Sequence, residues 1–217
     1  MYPVSSAYKQ AITANVRDKQ SLAGQIILSN DTEIDISDNN IVQGSVTYKA
    51  QCVSGNGISV GDVSAAQLEI GLITNIEDPY SLNGARCTLN YGIITGYSSD
   101  GSEEWEYVPL GTFYVTEIER KIGYVQLTLY DSFIRMDVPL GNAITYGSAV
   151  SILQSCCANA GITADLSNIS TFPNYDLNVS LPSDNEIETL RDCVMWVCQY
   201  LGCFGRINRN GIFEIVH

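Results

Sequence analysis

Histidine, cysteine and paired carboxylates are the side chains that most often carry chemistry, and this sequence holds few of the arrangements they need. Its one histidine is the last residue, His217. Ser-His-Asp, Cys-His and His-ligated zinc centres require an imidazole fixed by its surroundings, so none is expected here. Seven cysteines are present. Cys193, Cys198 and Cys203 recur at an interval that turns successive thiols on a helix about 140° apart, and no Cys-x-x-Cys pair occurs. They read as small buried hydrophobes, as do the adjacent Cys156 and Cys157. Asp31, Glu33, Asp35 and Asp38 superficially match a calcium loop. An EF-hand, however, needs Gly and Glu where Ile36 and Val42 stand, so Glu33 and Asp35 read as the wet face of a strand. Glu103, Glu104 and Glu106 flank Trp105, and a glycosidase places two carboxylates beside an aromatic platform. Beside the Asp100-Gly101 turn they read as ordinary exposed acids. Gly55-Asn56-Gly57 leads into a strand rather than a helix, which makes it a turn and not a phosphate loop. The sequence therefore predicts no catalytic, cofactor-binding or metal-binding residue, no cofactor and no enzyme activity.

Composition narrows the partners. Lys plus Arg total 11 against 24 Asp plus Glu, a formal charge of −13, yet only 16% of residues are charged. The usual figure is about 25%, so the acidity comes from scarce cations rather than abundant carboxylates. With 45% apolar residues and 13 tyrosines in 217 positions, the chain is long and apolar enough to bury a real core. Phosphate backbones and anionic membrane surfaces would both repel it, so no nucleic-acid binding is expected. The longest apolar runs, such as Cys193 to Cys198, fall far short of the ~20 residues that span a bilayer. The N-terminus has no charged leader before an apolar core, so no secretory signal is read, and the sequons at Asn30, Asn168 and Asn178 carry no weight. An odd number of cysteines fits reduced thiols in a reducing cytosol.

Patterning supplies the elements. Ser5 or Ser6 caps a short helix within residues 1–20, with Tyr8, Ala11, Ile12 and Val16 on one side and Lys9, Arg17, Asp18 and Lys19 wet. From residue 21 to 140 the period becomes two. Ile34 and Ile36; Val46, Tyr48, Ala50 and Cys52; Leu68, Ile70 and Leu72; Cys87, Leu89 and Tyr91; Val125, Leu127 and Leu129 each alternate with polar residues. Turns at Asp38-Asn39-Asn40, Ser54-Gly55-Asn56-Gly57, Leu82-Asn83-Gly84 and Ser98-Ser99-Asp100-Gly101 separate them, which reads as an antiparallel barrel or sandwich. Residues 141–217 read as a small α+β domain. Ala149, Ile152, Leu153, Cys156, Cys157 and Ala160 line one helix that stops at Gly161. A second helix is predicted from Ser183, boxed by Glu186, with the stripe Ile187, Leu190, Val194, Val197 and Leu201. A hairpin turning at Arg209-Asn210-Gly211 closes the sequence, and a continuation beyond His217 is expected. The fold class is thus mainly β with α+β: a barrel-like antiparallel domain, preceded by a helix and followed by a two-helix domain.

Several stretches resemble tail-tip and baseplate hub proteins of phages and prophages. They are Tyr2-Pro3-Val4-Ser5-Ser6-Ala7-Tyr8-Lys9-Gln10-Ala11-Ile12; Gly44-Ser45-Val46-Thr47-Tyr48 leading to Ile58-Ser59-Val60-Gly61-Asp62-Val63 and Ala66-Gln67-Leu68-Glu69-Ile70; Trp105 to Val115 through Pro109-Leu110-Gly111; Leu127 to Phe133; and Arg206 to Gly211. They occur in order along nearly the whole chain. The resemblance implies a homotrimeric structural hub in a virion tail, assembled in the bacterial cytoplasm. It implies neighbours such as the distal tail ring, tail tube and tape measure, and joins tube to spike or fibre. Tyr48, Tyr91, Tyr107, Tyr114 and Tyr130 are candidate interface anchors. Two other readings stay open: a receptor- or carbohydrate-binding tail module, and the non-catalytic part of a tail-associated wall hydrolase.

Overall fold

Period-two patterning and glycine-bearing turns dictate a β-rich chain, and the computed structural model, which describes residues 2–14, 19–50, 60–181 and 187–217, shows one. The strands are β1 (Gln20–Ile27), β2 (Glu33–Ile36), β3 (Thr47–Lys49), β4 (Gln67–Leu72), β5 (Arg86–Tyr97), β6 (Glu103–Lys121), β7 (Tyr124–Asp131), β8 (Tyr146–Ser148), β9 (Ala164–Asp165), β10 (Asn178–Ser180), β11 (Phe204–Ile207) and β12 (Phe213–Val216). The helices are α1 (Ser6–Thr13), α2 (Ala149–Ala160) and α3 (Leu190–Leu201). The first seven strands form one sheet in the order β2-β1-β5-β6-β7-β4-β3. The protein is mainly β with α+β character. Among the described residues its large antiparallel sheet is open, with β2 and β3 at the edges, rather than a closed barrel.

Two compact units are distinguished, Met1–Val46 with Glu69–Leu129, and Thr47–Leu68 with Tyr130–His217. They interleave along the chain instead of following one another as 21–140 and 141–217. The reason lies in non-local pairing: Val63 bridges Gly205 and the Gly61 amide donates to the Cys203 carbonyl at 3.0 Å. Such bonds tie the middle segment to the C-terminal unit and leave no mark in local periodicity.

In the first unit, alternate side chains of the long strands are buried: Ile70 and Leu72, Cys87 and Leu89, Phe113 and Val115, and Val125, Leu127 and Leu129. Full burial of each such side chain stabilises by about 1.5–3 kcal/mol. β6 carries Pro109 in mid-strand, a position where proline lacks the N–H a ladder needs. A bulge resolves this. Leu89 pairs with Gly111 and Asn90 with Pro109, so Leu110 is the extra residue. The bulge also changes which parity of β6 faces the apolar side, from Phe113 and Val115 beyond it to Val108 before it. Val108 joins Ile93 and the buried Tyr8 of α1, with Tyr2, Val4, Ala11 and Tyr91 around them. That small cluster is what α1 lies on. Ser5 is its N-cap, accepting from the Tyr8 amide at 3.0 Å. Ile12 is exposed, and Val16, Arg17 and Asp18 lie outside the described residues.

One strand departs from expectation. All three residues of β3 are exposed, Ala50 beside it is exposed too, and Val46 is only half-buried. β3 is three residues long and stands at the sheet edge, where alternation has no second layer to face. Cys52 and the turn at 54–57 lie outside the described residues.

The second unit is built around two amphipathic helices. All six predicted apolar residues of α2 are buried, and Gly161 ends the helix in the left-handed region at φ 65°. α3 begins at Leu190, not at Ser183. Thr189 caps it and forms a reciprocal box with Asp192, while Ile187 and Glu188 precede the helix. The Ser183–Glu186 pair lies outside the described residues. Both helices contribute to one core with Phe133, Met136, Phe213 and Ile215. The predicted terminal hairpin is β11–β12, with Gly211 at φ 77° and Asn208 Oδ1 accepting from the Asn210 and Ile212 amides. β9 adds to β12 in parallel, and β8 pairs with β10.

Candidate functional site

The residues with most chemical promise in the sequence lie at the acidic end of the β5–β6 hairpin. Strand geometry sends Glu104 and Glu106 to one side and Glu103, Trp105 and Tyr107 to the other. Each carboxylate has a structural partner. Glu103 pairs with the Lys19 ammonium and accepts from Trp105 Nε1 at 3.2 Å. The hydrogen bond from Lys19 holds the Glu103 carboxyl below its ordinary range. Glu104 accepts from the Ser98 hydroxyl at 2.9 Å, across the turn where Asp100 takes the Ser102 amide and hydroxyl. Glu106 receives the Ser5 amide at 2.9 Å and the Ser5 hydroxyl as well. These acids close a hairpin and anchor a helix.

On the opposite side, Trp105 and Tyr107 stack with centroids 6.1 Å apart and planes 24° apart. The Tyr107 ring lies over Gly92, its strand partner, so closely that a Cβ there would sit 2.5 Å from Cε1. The phenol donates to Ser21 Oγ at 3.4 Å. An aromatic pair is thereby laid on the sheet, with Tyr107 43% exposed. Of the other tyrosine candidates, Tyr48 is exposed, Tyr114 and Tyr130 are half-buried, and Tyr91 is taken up against α1. The most exposed aromatics are Tyr80, Tyr146 and Tyr97, each at a strand end or turn where no periodicity marks it. Trp196 is 38% exposed. The α3 stripe through Cys193, Val194 and Val197 leaves position 196 on the outer face.

The remaining candidates are also placed by structure. Glu33 accepts from Gln25 Nε2 at 2.7 Å and Asp38 from the Leu22 amide at 3.0 Å, while Asp31 occupies a turn at φ 61°. His217 stacks on Phe172 at 4.2 Å and reaches Thr171 Oγ1 at 3.5 Å, and that hydroxyl donates to the Asn168 carbonyl. Among the described residues no three of His, Cys, Asp and Glu are grouped so as to hold a metal ion, and no helix is long and apolar enough to cross a membrane.

Two polar groups of the second unit, the buried Asp131 and the half-buried Arg191, leave no mark in local sequence. Asp131 is 5% exposed and accepts from the Ala66 and Phe133 amides, each at 2.9 Å. Burial pushes its carboxyl up to about 6 despite those bonds. Arg191, in the first turn of α3, forks onto Asp137, donates to the Val63 carbonyl at 3.4 Å and lies 4.9 Å above the Phe133 ring.

No protein-family model matches the chain, and no curated protein matches it in sequence. Among solved structures it is similar to the 43 kDa tail protein of prophage MuSo2 from Shewanella oneidensis. The TM-score is 0.54 at 9% identity, over 92% of this chain and 56% of that one. The chain shares that fold and spans about half the length of the tail protein. A chain from the virion of a native gene transfer agent particle also matches, with a TM-score of 0.35 at 14% identity over 58% of this chain and 44% of that one.

Proposed function

We propose that the chain is a structural component of a phage or prophage tail, acting at the tail tip or baseplate hub to join tube or distal ring to the central spike or fibre region. The observation that carries this reading is the fold likeness to a prophage tail protein over 92% of the chain. The five ordered stretches of resemblance support it independently of the fold. On this reading Glu103, Glu104 and Glu106 serve as structural anchors through the hydrogen bonds they accept. No catalysis is assigned to the chain. Its charge of −13 suits a part past which DNA travels, since like charges repel. On this reading the hub is a homotrimer of a virion tail, assembled in the host cytoplasm against neighbouring tail proteins.

Light scattering behind size exclusion at several concentrations tests the stoichiometry. For the 217-residue chain a mass three times 23.7 kDa is expected; a strict monomer at every concentration would overturn the trimer. Incubation with purified peptidoglycan tests the absence of catalysis, because fragment release abolished by Glu104→Gln would require an enzyme. The exposed Trp105–Tyr107 pair favours one second reading, a carbohydrate- or receptor-binding tail module. Titration with neutral oligosaccharides, read by indole fluorescence in Trp196→Phe protein, separates the two.

A further inference from the structure

The sulfur atoms of Cys156 on α2 and Cys193 on α3 are 3.2 Å apart, although the residues are 37 positions apart in sequence. Both side chains are 0% exposed, inside the core that the two helices share. A disulfide requires an S–S distance of about 2.05 Å, so the sulfurs need to approach by only roughly 1 Å more. We infer that Cys156 and Cys193 form a covalent modification site, at which a small peroxide-class oxidant creates a disulfide tying α2 to α3.

The chemistry balances in two steps. Peroxide oxygen is transferred to one thiolate sulfur, giving a sulfenic acid and releasing hydroxide as the O–O bond breaks. The facing thiol then attacks that sulfur; the S–S bond forms, the S–O bond breaks, and water leaves with the thiol proton. Each sulfur is oxidised by one electron and the peroxide is reduced by two.

Two features favour this pair over Cys157, and a third selects the oxidant. The thiols already touch, so only a small approach of about 1 Å is needed to join them. Within the pair the hydrogen bond with Cys193 holds the Cys156 thiol below its ordinary range, whereas burial pushes the adjacent Cys157 up to about 12. Full burial also selects the oxidant, since a small peroxide enters through local opening of the helix pair far faster than a bulky disulfide such as oxidised glutathione. The thiols stay reduced in a reducing cytosol and are oxidised outside it. The inference does not depend on the tail reading, though a particle released from a cell would make that passage.

The full-length protein is treated with hydrogen peroxide under native conditions, quenched by alkylation in denaturant, and mapped by mass spectrometry without reduction. The expected product is a linked pair of peptides containing Cys156 and Cys193, two hydrogens lighter than the free thiols together. A reductant restores the free peptides. Oxidation also raises the melting midpoint by roughly 5–10 °C, as closing a long loop in the unfolded chain requires. The wild-type map stands whether or not a variant folds. Where Cys193→Ala does fold, it loses both the link and the shift. A dominant Cys198–Cys203 link, oxidation that proceeds to sulfinic acid, or thiols still fully alkylated after prolonged treatment would each overturn the inference. Equal rates with hydrogen peroxide and oxidised glutathione would overturn the choice of oxidant.

Discussion

Glu106 on β6 reaches across 101 positions of sequence to hold Ser5, accepting its amide at 2.9 Å and its hydroxyl as well. Ser5 in turn caps α1 through the Tyr8 amide. A carboxylate at a helix N-terminus is favoured by the helix dipole as well as by its hydrogen bonds. The thin apolar stripe of α1 buries only Tyr8 fully, so this polar anchor adds to a small apolar contact.

Glu106→Ala is expected to free α1 without unfolding the sheet. Hydrogen exchange at the amides of residues 8–13 should speed up by about 10-fold, in line with ~1–2 kcal/mol for a charge-assisted pair. Glu106→Gln retains an acceptor and should lose less. Exchange that is unchanged in Glu106→Ala would mean that Tyr8, Ile93 and Val108 hold the helix alone.

Gly24 of β1 is paired on both sides, with Ile36 and with Leu89. A Cβ there would sit 2.1 Å from the Thr88 carbonyl oxygen, which is backbone and cannot swing aside. Gly24→Ala should therefore separate β1 from β5 and cost roughly 3 kcal/mol or more, within the range for strain in a packed sheet. Thermal unfolding reads this directly. Gly84→Ala isolates the backbone cost alone, since a Cβ there meets nothing within 4 Å but φ is +72°, and it should lose only about 1–2 kcal/mol.

Asp131 sets a pH dependence of unusual sign for a carboxylate. Its folded value is raised to about 6, above the ordinary 3.8, so the folded state holds this proton where the unfolded state has lost it. Its contribution to stability is therefore greatest below the unfolded value and falls as pH rises through the folded one. Between about pH 4 and 6 this group should lower stability by up to about 3 kcal/mol. Asp131→Asn should remove that downward component from the stability–pH profile. It should also cost about 1–3 kcal/mol at low pH, because an amide cannot accept from both the Ala66 and Phe133 amides with both of its heteroatoms. A parallel offset between the two profiles, with no change of slope, would contradict the assignment.

Arg191 is a cation in the first turn of α3, where the helix dipole disfavours it. Asp137 offsets that, but it is 46% exposed on its side chain and the pair is screened accordingly. The Phe133 ring and the Val63 carbonyl add contacts that a lysine cannot reproduce. Arg191→Lys should therefore cost about 1 kcal/mol more than Asp137→Asn. Equal losses in denaturant unfolding would assign the whole effect to the ion pair.

How much of this was legible in the sequence depended on whether the determinant was local. The Ser5 cap, the six buried residues of α2 with the Gly161 stop, and the dry positions of β4 and β7 are written in spacing alone. Only pairing with β5 reveals that a single bulge at Leu110 lets β6 run through Pro109 from Glu103 to Lys121. The α3 start moved from Ser183 to Leu190 because Thr189 and Asp192 make the same kind of box a few residues later. Periodicity could not show that residues 47–68 belong with the C-terminal unit, that Cys156 touches Cys193, or that Asp131 is buried. Those facts arise from contacts between distant segments. The candidate site was visible as a cluster of acids around Trp105, but its role as a set of anchors needed Lys19, Ser98 and Ser5 in place.

The central claim is that the chain is built into a virion tail. It is tested most directly by labelling particles purified from the strain that encodes it, using gold-conjugated antibody raised against this chain and electron microscopy. The account predicts label at the end of the tail away from the capsid, on intact particles and on detached tails alike. Tailed particles free of label, with the chain recovered only from the soluble cell fraction, would contradict it.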